Sequence, residues 1–394
     1  MSVGDVVKLK LEGIASGGDA FAKLDGKTVF VAGGAPCEFA LCRIMEEENT
    51  WSRAVLLEVI EPSLFRVDAQ CSFFGKCGGC NLAHINYDAQ LKLKTSILED
   101  YLLRSGEYGS LEIEIFPSPP WEYRNRMQFH CLRQAKEGES FSFGLKGKGT
   151  NEVIAISDCP VAVPGIRAVL DLADSFSIPI DKDRFTVFAK DDVFLSEGGQ
   201  ERGKIKILGK EITLDAGVFF QSNCCMLEKL ITELEKVAEI ADKNLPMADF
   251  YSGVGTFASF LGGSFPKVFL AEENKCAIGL ARENLRNNQS EAVCANAECF
   301  ALRDIEWQRT IMQAKTKFGF AVVDPPRAGL NKKFALSLSL NGPEILAYVS
   351  CDVSSLVRDA KILISGGYRL REIKLFDFYP QTAHIESLAV FERS

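Results

Sequence analysis

A chain of 394 residues is long enough for two or three domains with cores of their own, and a formal net charge of −8 excludes polyanion binding spread over the whole surface. With 47% apolar and 25% charged residues, no Pro- or Ser-rich tract and no solenoid period, it reads as globular rather than disordered or repetitive. No apolar run reaches the ~18 residues of a membrane span and the start, Met1-Ser2-Val3-Gly4-Asp5, lacks a basic-then-apolar leader, so a cytoplasmic protein is expected. Thirteen cysteines, spread from Cys37 to Cys351, argue for a reducing compartment with thiols kept for metal or catalysis.

In chain order, Val6 to Leu11, Ala20 to Leu24, Thr28 to Val31, Glu38 to Met45 and Arg53 to Ile60 read as five short strands broken by glycines, a small β-barrel of oligonucleotide-binding type. Cys71, Cys77 and Cys80 follow with Gly75, Gly78 and Gly79 between them. Three thiolates on a Gly-opened loop point to a metal, iron–sulfur ahead of zinc; Cys159, Cys131 and His84 compete as fourth ligand. Asn86 is placed to cap a helix that carries Leu91, Ile97, Leu98, Tyr101 and Leu102 on one face and ends near Gly106. From Ile113 to about Ile207 the pattern is mostly β, with one helical stretch around Ile166 to Ser175. Between Trp121 and Thr150, six Arg or Lys stand against three Glu, interleaved with Trp121, Tyr123, Phe129, His130, Phe141 and Phe143. That mixture suits unpaired nucleotides, although a solvated strand pair with core aromatics gives the same pattern.

From Met247 onward, strand, turn and helix alternate, which predicts a parallel sheet wound with helices and ligands at the carboxyl ends of its strands. Ala248 to Tyr251 leads into Ser252-Gly253-Val254-Gly255, Val268 to Ala271 ends at Glu272, and Ala292 to Cys294 leads to Asn296. A single Gly-x-Gly with Asp249 before it favours S-adenosylmethionine over a dinucleotide. Phe318 to Val323 runs into the stiff turn Asp324-Pro325-Pro326-Arg327. Ile345 to Val349 runs into Ser350-Cys351, where a helix N-terminus capped by Ser354 would favour the thiolate. His384 and Glu386 follow after Pro380-Gln381-Thr382-Ala383. Taken singly, Cys351 is more simply a small core residue and Glu386 a solvated hairpin carboxylate.

Taken together, Phe220-Gln221-Ser222-Asn223, the Asp249 to Gly255 turn, Asp324-Pro-Pro-Arg-Ala-Gly329, Ser350-Cys351 and Pro380-Gln-Thr-Ala-His384-Ile-Glu386 resemble, in order and spacing, the RNA uracil-C5 methyltransferases that form 5-methyluridine. The resemblance covers nearly the whole chain. It implies a Rossmann-like S-adenosylmethionine-dependent α/β domain, an N-terminal barrel similar to a TRAM domain, and a mostly β central domain. It implies Cys351 as the nucleophile on uracil C6 and Glu386 as the base that removes the C5 proton. It implies contacts to S-adenosylmethionine from Gln221, Tyr251, Thr256, Glu272, Asn296 and Asp324, and a [4Fe–4S] cluster held by Cys71, Cys77, Cys80 and Cys159. Two departures from the family pattern stand out: Asp352-Val353 replaces the usual Asn-Pro after the nucleophile, and Ser252 replaces a frequent cysteine.

The expected domains are a barrel over 1–60, a central RNA-binding domain with the cysteine loop over 61–208, whose helix 87–106 packs on the catalytic domain, and a catalytic domain over 209–394. The expected activity is C5 methylation of a uridine in RNA, with ribosomal RNA favoured over transfer RNA, by a monomer without an obligate protein partner. The competing readings are a transfer RNA enzyme, a cytosine-C5 methyltransferase and a catalytically idle, cluster-containing RNA-binding protein.

Overall fold

The computed structural model describes residues 2–106, 112–133, 141–171, 183–289, 297–301 and 317–393. Strands β1 (Val6–Lys10), β2 (Gly13–Ile14), β3 (Ala20–Leu24), β4 (Lys27–Ala32), β5 (Phe39–Glu47) and β6 (Trp51–Glu61) form one sheet in the order β1-β5-β6-β4-β3-β2. Alternation turns one residue in two inward, and every strand contributes to a single core, for example Leu9, Ile14, Ala22, Val31, Ile44 and Ala54. A sheet whose six strands share one core must curl around it. The sequence indicated five of these strands; β2 is too short to carry a periodicity.

The chain then enters α1 (Tyr87–Ser105). The Asn86 side chain accepts from the Ala89 N–H at 2.9 Å, and Gly106 ends the helix in the left-handed region at φ 73°. Leu98 and Leu102 are buried, as the apolar pattern requires, but so are Gln90 and Lys94, which it does not. Next, β7 (Ile113–Phe116) departs from expectation: it belongs not to the central β region but to the edge of the large sheet described below, paired in parallel with a strand near the C-terminus.

The central region holds β8 (Arg126–Arg133), β9 (Phe141–Lys146), β10 (Val153–Ala155), α2 (Pro164–Asp171), β11 (Arg184–Lys190) and β12 (Val193–Ser196), with sheet order β10-β9-β8-β11-β12. Phe129 and Phe143 are fully buried here and Tyr123 is buried too, so these aromatics are core and not stacking faces. A hairpin, β13 (Arg202–Ile207) and β14 (Lys210–Asp215), packs Ile205, Ile207, Ile212 and Leu214 into the same core as α3 (Cys224–Glu239).

The remaining elements are β15 (Met247–Phe250), α4 (Thr256–Leu261), β16 (Val268–Glu272), α5 (Lys275–Asn288), β17 (Ala297–Ala301), β18 (Phe320–Val323), α6 (Lys332–Asn341), β19 (Ile345–Ser350), α7 (Val353–Ser365), β20 (Tyr368–Phe376) and β21 (Glu386–Arg393). They build an eight-stranded sheet in the order β17-β16-β15-β18-β19-β21-β20-β7, in which β21 alone runs against its neighbours. Its strands are apolar on both faces because both are covered. Met247, Leu270, Val322 and Val349 meet α3, α4 and α5 on one side; Phe250, Ala271, Val323 and Tyr348 meet α1, α6 and α7 on the other. Each large side chain buried in these layers is worth roughly 1.5–3 kcal/mol. No helix among the described residues is long and apolar enough to cross a membrane.

The two polar residues buried on α1 tie that helix to the segment before β21. Lys94 Nζ lies 2.5 Å from Asp377 Oδ1 and donates to the Tyr379 carbonyl at 3.0 Å. Gln90 donates from Nε2 to Gln381 Oε1 and accepts the Gln381 N–H at Oε1, both at 2.9 Å. Burial pulls the Lys94 pKa down while Asp377 holds it up. Truncating one partner of a buried pair leaves a charge uncompensated, so Lys94→Ala is expected to cost about 3–5 kcal/mol in urea unfolding. A loss below about 1 kcal/mol would show that the pair does not hold the two segments together.

Candidate active site

A cavity of about 610 Å³ opens at the carboxyl ends of β15, β16, β18 and β19, where an open α/β sheet binds its ligands. Tyr251, Glu272, Asp324 and Cys351 reach it from these ends, and Gln221 from the loop before α3. Glu386 is brought in by chain direction. Because β21 runs antiparallel to β19, Ser350 pairs with Ser387, and the first residue of one strand faces the end of the other. A separation of 35 residues is thereby closed, and Cys351 and Glu386 line one cavity.

The backbone at the sheet edge is held tightly. Tyr251 adopts φ 62° and Gly255 φ 75°, where a Cβ on Gly255 would come within 2.8 Å of the Ala281 methyl. Glu272 accepts the Gly253 N–H at 3.0 Å and the Asn274 N–H at 2.8 Å, which fixes both carboxylate oxygens. The Asp324 to Gly329 turn closes through the Gly329 N–H to the Pro326 carbonyl at 2.7 Å, and Asp359 accepts the Leu330 N–H at 2.7 Å. Asp352, not Ser354, caps α7: its Oδ1 accepts the Ser355 N–H at 2.7 Å and Val353 is the first helical residue, buried. This corrects the cap read from the sequence. It also resolves the departure at Asp352-Val353, because Asp serves as well as Asn at an N-cap and the next position needs no N–H partner. Asp352→Ala should lower stability by about 1 kcal/mol, read as a shift in the denaturant midpoint; an unchanged midpoint would show that the cap is dispensable.

The electrostatics are those of a crowded acidic pocket. Burial, then the charge of Asp324, raises the Glu386 pKa well above the carboxylate range, while Arg327 opposes the rise. Asp324 is raised to about 7 by burial, against the Gln221 amide that donates to it at 3.2 Å. Cys351 is pushed up to about 12 by burial, then by Glu386 and Asp324, again opposed by Arg327. Arg327 also meets His384, Nη2 to Nε2 at 3.3 Å. Partial burial and the cations Arg327, Lys94 and Arg124 hold the His384 pKa down at about 4, so near neutral pH the ring is uncharged and accepts from the guanidinium.

Of the cofactor residues expected, Gln221, Tyr251, Glu272 and Asp324 line this cavity. Thr256 does not: it opens α4 with its side chain buried. Asn296 lies outside the described residues, as does the strand read at Ala292 to Cys294; the described edge strand, Ala297–Ala301, comes after Asn296 rather than before it. Arg124, Phe219 and Tyr379 also line the cavity and were not singled out for it. Asp249 is buried with its pKa raised to about 8, chiefly by burial, and Oδ2 accepts the Ala258 N–H at 3.1 Å.

A second, smaller cavity of about 30 Å³ is lined by Cys71, Cys77, Cys80 and Cys159 together with Arg124. Burial and the charge of the other cysteines raise Cys80 to about 12; burial raises Cys159 to about 11, with Arg124 acting against both shifts. Cys131 does not line it, and His84 is engaged elsewhere, Nε2 to the Gly34 carbonyl at 2.9 Å. Among the described residues no group of three His, Cys, Asp or Glu side chains is gathered as it would be around a metal ion. The four thiols share this cavity.

Known proteins resemble this chain in sequence and fold. Residues 200–394 match the family described as tRNA (Uracil-5-)-methyltransferase. An "Uncharacterized RNA methyltransferase" of Treponema denticola is 34% identical across 99% of both chains. The 23S rRNA (uracil(1939)-C(5))-methyltransferase RlmD of a Marinomonas species is 27% identical over 99% of this chain and 96% of its own. The fold is shared with the crystal structure of Pyrococcus abyssi tRNA (uracil-54, C5)-methyltransferase in complex with S-adenosyl-L-homocysteine, at a TM-score of 0.73 and 24% identity, covering 98% of this chain and 100% of that one. With similarity to relatives running end to end and the strand-end cavity in place, the chain belongs to the RNA (uracil-5)-methyltransferase family.

Proposed function

We propose that this enzyme methylates C5 of one uridine in 23S ribosomal RNA through a covalent adduct between Cys351 and C6, with Glu386 removing the C5 proton. The observation that carries the reading is the meeting of Cys351 and Glu386 across β19 and β21 in the cavity that also holds Gln221 and Asp324. Uracil C5 is a poor nucleophile; addition of the Cys351 thiolate to C6 makes it enolate-like. When bound, S-adenosylmethionine supplies the electrophilic methyl and a positive sulfonium. C5 forms a bond to that methyl as the carbon–sulfur bond breaks, Glu386 takes the C5 proton, and the electron pair left behind restores the C5–C6 double bond as Cys351 departs. The amide of Gln221 and the carboxyl of Asp324, hydrogen-bonded to each other in this cavity, would hold the pyrimidine edge or the donor. A paired base cannot enter this cavity, so the uridine is unstacked or flipped.

The raised pKa of Cys351 sets a requirement on this scheme. The thiolate needs positive charge beside it, and Arg327 is the cation that opposes the upward shifts of both Cys351 and Glu386. Both groups act deprotonated, so turnover is expected to rise with pH. Arg327→Gln should move that rise about one unit higher, measured as kcat against pH; an unmoved profile would remove Arg327 from the account.

Cys71, Cys77, Cys80 and Cys159 are proposed to hold a [4Fe–4S] cluster. Four thiols of one cavity, with the Gly79 N–H directed at Cys77 Sγ at 3.4 Å, form an all-sulfur donor set. A bound cluster would cross-link the loop to Cys159. Cys77→Ser should lose the visible absorption of the cluster together with RNA affinity; loss of the cluster with affinity and folding unchanged would refute a structural role.

We place the enzyme in the cytoplasm as a monomer, with the N-terminal sheet as a TRAM-like barrel. Ribosomal RNA is favoured by the Marinomonas relative, whereas the family description names transfer RNA. Mapping 5-methyluridine in both RNAs from cells lacking this protein decides between them: the modification should vanish from one 23S position, and its loss from transfer RNA alone would overturn the assignment.

A further inference from the structure

We propose that the single strand flanking the target uridine runs through a groove beside the catalytic cavity, with its phosphates on Lys146 and Lys148 and its bases against the outer face of β8. This rests on the function proposed above and adds the path of the substrate. The groove, about 390 Å³, lies between residues 78–81 of the cysteine loop and the turn 146–149, with Gln128 and His130 between them. Gly79 and Arg124 line both the groove and the catalytic cavity, so the two spaces are neighbours.

The residues facing the groove follow from strand geometry. Met127 and Phe129 point into the core, which turns Gln128 and His130 outward. Arg184 is the register partner of His130 on β11, and Lys146 and Lys148 are exposed. Among the described residues, Asp19 lies 4.0 Å from Lys148 Nζ and Asp183 acts on His130. Lys146 Nζ donates to the Asn151 side chain, a neutral partner, at 3.1 Å. A chain with net charge −8 therefore gathers Arg124, Lys146, Lys148 and Arg184 along one path into its active site. Such a path suits a polyanion that must be steered to one place on an acidic protein.

The groove is also braced. Cys77 and Gly147 form an antiparallel bridge, the Gly78 N–H donates to the Lys146 carbonyl at 2.9 Å, and the Lys148 N–H donates to the Lys76 carbonyl at 2.8 Å. A Cβ on Gly78 would stand 3.1 Å from the carbonyl oxygens of Lys146 and Gly147. The cysteine loop and the basic turn are thus one unit.

The test measures binding of an unmodified RNA of about 25 nucleotides by anisotropy over a range of salt concentrations. The double variant Lys146→Gln/Lys148→Gln should lose about ten-fold in affinity near 0.1 M salt, and its slope of log affinity on log salt should be shallower by about 1.4, at about 0.7 per phosphate contact. Lys146→Arg/Lys148→Arg should restore the slope. Lys332→Gln/Lys333→Gln, the same charge change on the exposed start of α6, should retain wild-type binding. An unchanged slope in the first variant, or an equal loss in the α6 variant, overturns the proposal. Binding reads the groove and methyl transfer by the wild type reads the site, so the two ideas fail separately.

Discussion

Cys351→Ala is expected to lower methyl transfer by about 10⁴-fold or more and to abolish any RNA adduct that survives denaturation, while S-adenosylhomocysteine still binds. The size of the effect follows from the chemistry. Without sulfur addition to C6, C5 has no enolate character and the remaining groups can only position two unreactive partners. The substitution removes one sulfur from a half-buried position whose local helix is held by Asp352 and Val353, so folding should survive it. An adduct still formed by the variant would remove Cys351 from the role.

Glu386→Gln should behave differently, and that difference separates the two residues. Addition and methyl transfer do not need a base at C5, so with donor present the adduct should accumulate, while turnover falls by about 10²–10⁴-fold. The amide is close in shape to the carboxyl it replaces, at a position that is almost fully buried. A denaturant-stable protein–RNA complex dependent on S-adenosylmethionine is the expected observation. Wild-type turnover, or loss of turnover with no trapped complex, would assign the proton to another group.

Much of this was legible in the chain, and the reasons it stopped being so are physical. Asn86 and Gly106 bracket α1 because caps are local chemistry, read from one or two residues. Lys94 and Gln90 were not legible: their partners, Asp377 and Gln381, lie 283 and 291 residues away, and an apolar periodicity cannot announce a buried polar pair. Cys351 and Glu386 each read alone as ordinary residues. What joins them is the reversed direction of β21, which strand periodicity does not encode. In the same way β7 reads as a strand wherever it sits, and only its pairing with β20 shows that it leaves the central sheet for the catalytic one. The aromatics of β8 and β9 were open to both readings, stacking faces or core, because composition does not distinguish them; the two-residue repeat of the strands placed Phe129 and Phe143 inside.

The segment that leads into β21 is tied to distant parts of the chain. The segment from Asp377 to Glu386 is held from several sides: Lys94 and Gln90 on α1, Tyr123 donating to the Pro380 carbonyl at 2.9 Å, and Asn81 accepting the Ala383 N–H at 2.9 Å. Asn81 also donates to the Gly17 carbonyl at 3.0 Å, so the N-terminal region, the cysteine loop and the segment before β21 meet at one side chain.

The central claim is replacement of the C5 proton of uracil by a methyl group, and tritium release tests it most directly. Unmodified RNA labelled at C5 of uridine is incubated with the enzyme and S-adenosylmethionine. Release of tritium in step with methyl incorporation, with 5-methyluridine the sole methylated nucleoside in the digest, is the predicted result. Methyl incorporation with tritium retained, or methyl found on cytosine, an exocyclic amine or ribose, would contradict it.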